Sequence, residues 1–226
     1  MPNQPVQDRG RSLGAPARRA RRSPAPLKLF VVTGPSGAGK GTLIQRLLER
    51  RPDLELAVSA TTRKRREGEV DGRDYHFLTE EEFVERIAAD EFLEHVVYVS
   101  GRYGTLRSEI ERIVEEGKHP VLELETKGAR AVRDAVPGAV TIFITVPSFD
   151  ELERRLRARA TETSGVIEER LEVARRQLEE AGDFDHVIVN DDLDRAVDEL
   201  ERVIDEMVST SHPQAGPPQT PGTLRQ

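Results

Sequence analysis

Apolar runs rich in β-branched residues alternate along this chain with stretches whose apolar positions recur every three or four residues. Leu29 to Thr33, Pro120 to Glu123, Val140 to Val146 and Val187 to Val189 are such runs. They are too continuous for half-exposed strands, so they are predicted to lie parallel in a sheet covered on both faces. Helical spacing predicts helices over Gly39 to Arg50, Leu106 to Gly117, Phe149 to Arg159, Gly165 to Glu180 and Leu193 to Ser209. Strands alternating with helices define an α/β fold, here a three-layer arrangement around a central parallel sheet. The stretch from Leu56 to Tyr103 breaks the rhythm with short strand-like pieces, one helix over Glu80 to Ala89 and turn glycines at Gly68 and Gly72. It is expected to be an inserted, mixed α+β lobe.

Between the first strand and the first helix lies Gly34-Pro35-Ser36-Gly37-Ala38-Gly39-Lys40, followed by Gly41 and Thr42. Glycines let successive backbone N–H groups turn inward onto phosphate oxygens, and the helix that follows adds the positive end of its dipole. Lys40 supplies a mobile charge for the outer phosphates, so the loop predicts binding of a nucleoside triphosphate. The hydroxyl expected directly after the lysine is replaced by Gly41. Thr42, one residue on, is the candidate magnesium ligand, through its hydroxyl or a water.

A second anion site is predicted downstream. Arg63 and Arg66 stand three apart and can converge on one phosphate with the bidentate contacts of a guanidinium, and the phenol of Tyr75 adds a donor. The whole pattern, S-x-T-T-R-x-x-R-x-G-E-x-x-G-x-x-Y at Ser59, Thr61, Thr62, Arg63, Arg66, Gly68, Glu69, Gly72 and Tyr75, resembles the guanylate kinases. The resemblance runs from Leu27 to Ser209. It implies a P-loop kinase fold over 27–209, with a GMP-binding lobe at 56–105 and a helical lid at 155–170. It implies ATP and GMP as substrates, with Mg²⁺. It also implies that Ser59 binds GMP, that Arg63, Arg66, Tyr75 and Tyr103 hold its phosphate, and that Glu94 and Thr105 read the base. Guanine shows donors at N1 and N2 that a carboxylate accepts, and an acceptor at O6 that a hydroxyl supplies. Adenine would leave such a site unpaired.

The same resemblance marks two departures. Glu125 stands where the family usually has aspartate near the transferred phosphate, metal or GMP, and Lys127 stands where it usually has glutamine. Glutamate reaches one methylene further, about 1.5 Å, enough to slow the reaction unless the surroundings repack. In the lid, Arg155, Arg159 and Arg170 match the family's phosphate-facing arginines, with Ala160 in place of a glycine. Cations that stabilise charge on a moving phosphoryl group are what such transfer requires. Asn190 matches a residue beside the adenine of ATP, and is equally placed to cap the last helix.

Composition limits the alternatives. The 226 residues allow one domain with an ample core. The chain has no cysteine, which excludes disulfides and thiolate metal sites and suits a reducing cytoplasm. No apolar run approaches the roughly 20 residues of a membrane span, so a cytoplasmic protein with no membrane partner is expected. The histidines show no metal-binding spacing. Residues 1–26 hold six arginines against one acid, in a chain of net charge −7, and are expected to be a disordered basic tail. Nucleic acid is not an expected partner, although the tail leaves that point open; residues 210–226 are expected to form a second disordered tail. The oligomeric state is open. Two other readings remain: a related kinase acting on another phosphorylated acceptor such as ribose 1,5-bisphosphate, and a non-catalytic scaffold domain that binds phosphopeptides.

Overall fold

The computed structural model describes residues 27–98, 100–159 and 164–210, and only the backbone for 159 and 164–166. The basic segment 1–26 and residues 211–226, read above as disordered tails, lie outside the described residues. In chain order the elements are β1 (Phe30–Thr33), α1 (Lys40–Arg50), β2 (Leu54–Leu56), β3 (Ala60–Thr61), β4 (His76–Phe77), α2 (Glu80–Ala88), β5 (Phe92–Tyr98) and β6 (Gly101–Leu106). They continue with α3 (Arg107–Glu115), β7 (His119–Glu123), α4 (Thr126–Ala135), β8 (Val140–Thr145), α5 (Phe149–Arg159), α6 (Ser164–Glu179), β9 (His186–Val189) and α7 (Leu193–Thr210). Thr210, placed by sequence in the second tail, closes α7.

Five strands form an all-parallel sheet in the order β2-β7-β1-β8-β9. Alternation along β1 explains the three layers. Phe30 and Val32 join Leu43, Ile44 and Leu47 of α1 and Ala196, Val197 and Leu200 of α7 on one face. Leu29 and Val31 join Ile113 of α3 and Ala129 and Val132 of α4 on the other. Each such aliphatic side chain, fully buried, contributes roughly 1.5–3 kcal/mol of transfer free energy, so both faces of β1 hold helices onto the sheet.

Residues 60–106 build a second sheet, ordered β4-β3-β6-β5, in which β3 and β4 run parallel while β6 pairs antiparallel with both β3 and β5. Helix α2 covers it through Phe83, which stacks on Phe92 with ring centroids 4.3 Å apart. This is the mixed lobe that the sequence predicts. Three elements differ from the sequence reading: β9, expected to be covered on both faces, is an edge strand that leaves Val187 and Val189 exposed. Leu56, taken as the first residue of the insert, is paired with Val121 at the edge of the parallel sheet, and α4 was not anticipated.

Candidate active site

The central strand β1 ends in the glycine loop. Gly34 has φ 135°, and a Cβ there would stand 2.1 Å from the Ile144 carbonyl oxygen, so only glycine lets the loop pass β8. Gly39 precedes α1 with no side chain capping the helix, which leaves its N-terminal dipole open to an anion. Lys40 Nζ donates to the carbonyl oxygens of Gly34 (2.8 Å) and Pro35 (3.2 Å), folding the ammonium over the loop. Burial lowers its pKa, while Glu123 and Glu125 pull it back up. From β9, Asn190 Nδ2 donates to the Ala38 carbonyl oxygen at 2.7 Å and pins the loop from below. Asp192, not Asn190, accepts the helix-capping bond from the Arg195 amide of α7.

Facing the loop, a cleft of about 830 Å³ opens between the two sheets. Of the expected acceptor residues, Ser59, Tyr75, Glu94, Tyr103 and Glu125 line it, together with Ser36, Lys40 and Arg170. Glu94 is only 5% exposed. The β5–β6 register sets it opposite Thr105, whose hydroxyl donates to Glu94 Oε1 at 2.8 Å. Glu94 Oε2 is buried with no partner. The first turn of α4 packs close against it at Gly128, where a Cβ would lie 3.0 Å from Oε2. Burial raises the Glu94 carboxyl above the ordinary carboxylate value, with the Thr105 hydroxyl acting in the opposite sense. A buried acceptor oxygen with no protein partner in a cleft wall is placed to take a donor from a ligand.

The arginines divide differently from the sequence reading. Arg63 does not converge with Arg66 in the cleft. Its guanidinium is held by Glu69 in a two-pronged bond of 2.7 and 3.1 Å and lies 5.2 Å from the centroid of the Tyr75 ring. Neither Arg63 nor Arg66 is among the residues lining the cleft; the Arg66 backbone N–H donates to the same Glu69 carboxylate at 2.7 Å. Arg170 does reach the loop and donates to Ser36 Oγ at 2.8 Å. Arg155 bonds Glu151 and the Asn190 carbonyl oxygen (3.0 Å), and with Thr42 and Asn190 it lines a second, smaller cleft of about 350 Å³ behind the loop. The Arg159 side chain and residues 160–163 of the expected lid lie outside the described residues.

The sequence reading gave no site role to several residues that line the cleft, among them Asp74, Tyr98, Ser100 and Glu123. Glu123 ends β7, where open parallel sheets place ligands, and that position was the available signal. A Cβ on Gly41 would lie 3.5 Å from Glu123 Oε2, so this carboxylate faces the space that the missing hydroxyl would occupy. Burial raises the Glu123 carboxyl, and the Lys40 ammonium acts in the opposite sense. Among the described residues no group of three His, Cys, Asp or Glu stands together as a metal site.

A glycine loop on the central strand of a parallel sheet, with a second sheet facing it across a cleft of acids and phenols, defines a P-loop phosphotransferase fold. The guanylate kinase family model matches residues 27–207. The guanylate kinase of Synechocystis sp. is 48% identical over 179 residues, 79% of this chain and 94% of the relative. That of Synechococcus sp. is 46% identical over 186 residues, 82% and 86% of the two chains. Among solved structures, guanylate kinase from Anaplasma phagocytophilum matches with a TM-score of 0.65 at 30% identity, covering 80% of this chain and 86% of that one. The chain belongs to the guanylate kinase family.

Proposed function

We propose that this protein transfers the γ-phosphoryl group of ATP to GMP, giving ADP and GDP. The observation that carries the reading is the bare, buried Glu94 Oε2, backed by the Thr105 hydroxyl, across one cleft from the Lys40 loop. A guanine edge supplies the N–H donors this oxygen lacks, whereas the corresponding edge of adenine presents an acceptor at N1. The loop and Lys40 hold the donor phosphates. Asn190 and Thr42 flank the donor nucleoside in the smaller cleft. Ser59, Tyr75 and Tyr103 take the acceptor phosphate, and Arg63 and Arg66 come to it when the lobe closes. Arg155, Arg159 and Arg170 serve the moving phosphoryl group, with Arg170 already at Ser36.

In the reaction a GMP phosphate oxygen forms the new bond to the γ-phosphorus as the bond to the β-phosphate oxygen breaks, and ADP leaves with the electron pair. No general base is required, because the attacking oxygen is already ionised near neutral pH. Mg²⁺ prefers oxygen ligands and keeps several waters, and the Glu123 carboxylate beside Gly41 fits that demand, whereas Thr42 lines the smaller cleft. The metal would neutralise charge on the donor phosphates. No helix among the described residues is long and apolar enough to cross a membrane, and a cysteine-free chain suits a cytoplasmic setting.

A coupled ADP-release assay with ATP and Mg²⁺ tests the reading, with GMP, AMP, CMP, UMP and ribose 1,5-bisphosphate offered separately. Turnover is expected with GMP alone. Equal rates with AMP, or turnover only with the sugar bisphosphate, would overturn it.

A further inference from the structure

The phosphate loop meets the pair of helices α5 and α6 at two adjacent loop residues. Gly37 packs against α5: a Cβ there would lie 3.1 Å from the Leu156 side chain and 3.2 Å from that of Leu152. Those two leucines belong to a small apolar core that Ile167, Leu171 and Ala174 of α6 complete. Its neighbour Ser36 is exposed, and its Oγ accepts from Arg170 Nη2 at 2.8 Å. Arg170 stands three residues after Ile167 and four before Ala174, at the margin of the apolar stripe of α6. The packing of α6 therefore fixes where the arginine leaves the helix, just as the packing of Gly37 fixes where the serine stands. An apolar contact and a polar one join loop and helix pair side by side.

Ser36, Arg170 and Lys40 line the same cleft. A long side chain loses rotamer freedom when it is brought to bear on a substrate, and that loss opposes the step that needs it. A partner that already holds the side chain lowers the loss. We propose that Ser36 is a positioning residue for Arg170: its hydroxyl holds the guanidinium at the mouth of the phosphate loop, so that the arginine meets the γ-phosphoryl group in a fixed orientation. A hydroxyl suits the task because it orients a cation without adding a counter-charge beside the phosphates. A guanidinium has five N–H donors, and the bond to Ser36 engages one. The Ser36 side chain acts through Arg170 and not on ATP, whose phosphates fall to the loop N–H groups and Lys40. This inference rests on the reading of the cleft as a site of phosphoryl transfer from ATP to GMP.

The test reads the single-turnover rate of phosphoryl transfer to GMP, and the calorimetric Kd of a non-hydrolysable ATP analogue, on the full-length protein. Wild type is compared with Ser36→Ala, Ser36→Thr, Arg170→Ala and the double variant that carries both alanines. In Ser36→Ala the transfer rate should fall about five- to tenfold, the size of one lost hydrogen bond, while the Kd of the analogue stays near wild type. Ser36→Thr, which keeps a hydroxyl, should restore most of the rate. Arg170→Ala should lose more, and removing the serine hydroxyl as well should change nothing further. A Ser36→Ala rate at or above wild type would overturn the assignment. So would a weakened Kd for the analogue, or a serine effect that persists undiminished without Arg170, since either gives the hydroxyl to ATP itself. Wild-type protein that binds the analogue yet transfers nothing from ATP to GMP would overturn the kinase reading, and the positioning role with it.

Discussion

Glu94 carries the most consequential single charge in the cleft. Its burial raises the carboxyl above the usual 4.5, so between that value and its folded pKa the native protein holds a proton that the unfolded chain has released. Its contribution to stability is therefore present at low pH and lost as the pH rises through the folded value. Function runs the other way, because only the ionised carboxylate leaves both oxygens as acceptors. KM for GMP should climb as the pH falls through that raised pKa, while KM for ATP does not follow it. Glu94→Gln should flatten the climb and lower kcat/KM for GMP by about 10²-fold, the scale of a lost charged hydrogen bond; a pH profile that keeps its acid limb in the variant would assign that limb to another group. Asn190 acts on the donor side. Asn190→Ala leaves the Ala38 carbonyl oxygen buried without its 2.7 Å partner, at a cost of about 1–3 kcal/mol. The urea midpoint should drop accordingly, and KM should rise for ATP more than for GMP.

Elements were legible where local pattern and tertiary role agreed. The buried strands β1, β7 and β8 and the core helices other than α4 follow from apolar periodicity, whereas β9 is a strand as read but half-exposed at the sheet edge; the phosphate loop follows from its glycines between strand and helix. Helix α4 escaped because Thr126-Lys127-Gly128-Ala129 opens it with a glycine and few apolar residues. Gly128 is there for the approach to Glu94, a demand that no local pattern expresses. Strand β2 escaped because three residues at a sheet edge, Leu54-Glu55-Leu56, carry too little alternation to be seen. At the site, Ser59, Tyr75, Glu94, Tyr103 and Thr105 were readable from family spacing. The tie between Arg63 and Glu69 is set by the path of the loop between β3 and β4, which residue spacing alone does not express. Helix α2 offers a clean test at this scale: Thr79 accepts from the Glu82 amide while the Glu82 carboxylate accepts from the Thr79 amide. Thr79→Ala should cost about 1 kcal/mol, read as a lower thermal midpoint, with kcat/KM for GMP within about twofold of wild type because α2 covers the lobe from behind the cleft.

At the scale of the molecule, the core and the inserted sheet meet through α4 against β5 and through Glu109, a buried acid of α3 that accepts from the Val58 amide at 3.1 Å and pairs with Arg112 at 2.9 Å. GMP would touch both bodies, so its binding is expected to stabilise the whole fold, by about 2.7 kcal/mol at a free concentration a hundred times Kd. A thermal-shift series should show midpoints rising with GMP but not with AMP. Glu94→Gln should abolish the GMP shift and keep the shift given by a non-hydrolysable ATP analogue; an AMP shift equal to that of GMP would contradict the base assignment.

The strand order also dictates a schedule for acquiring the fold. Phe30 of β1 is flanked by Val121 of β7 on one side and Val140 of β8 on the other. The central strand of the parallel sheet is made before its partners and gains them late, after the whole inserted sheet has been synthesised. Pairing over such separations is slow, whereas the β5–β6 ladder closes between neighbours in sequence. During synthesis, which proceeds from the N-terminus at about 5–20 residues per second, the acceptor lobe can therefore gather itself while Phe30, Val31 and Val32 still wait for partners. The segment that carries the phosphate loop is then the one most dependent on protection from aggregation in the cell.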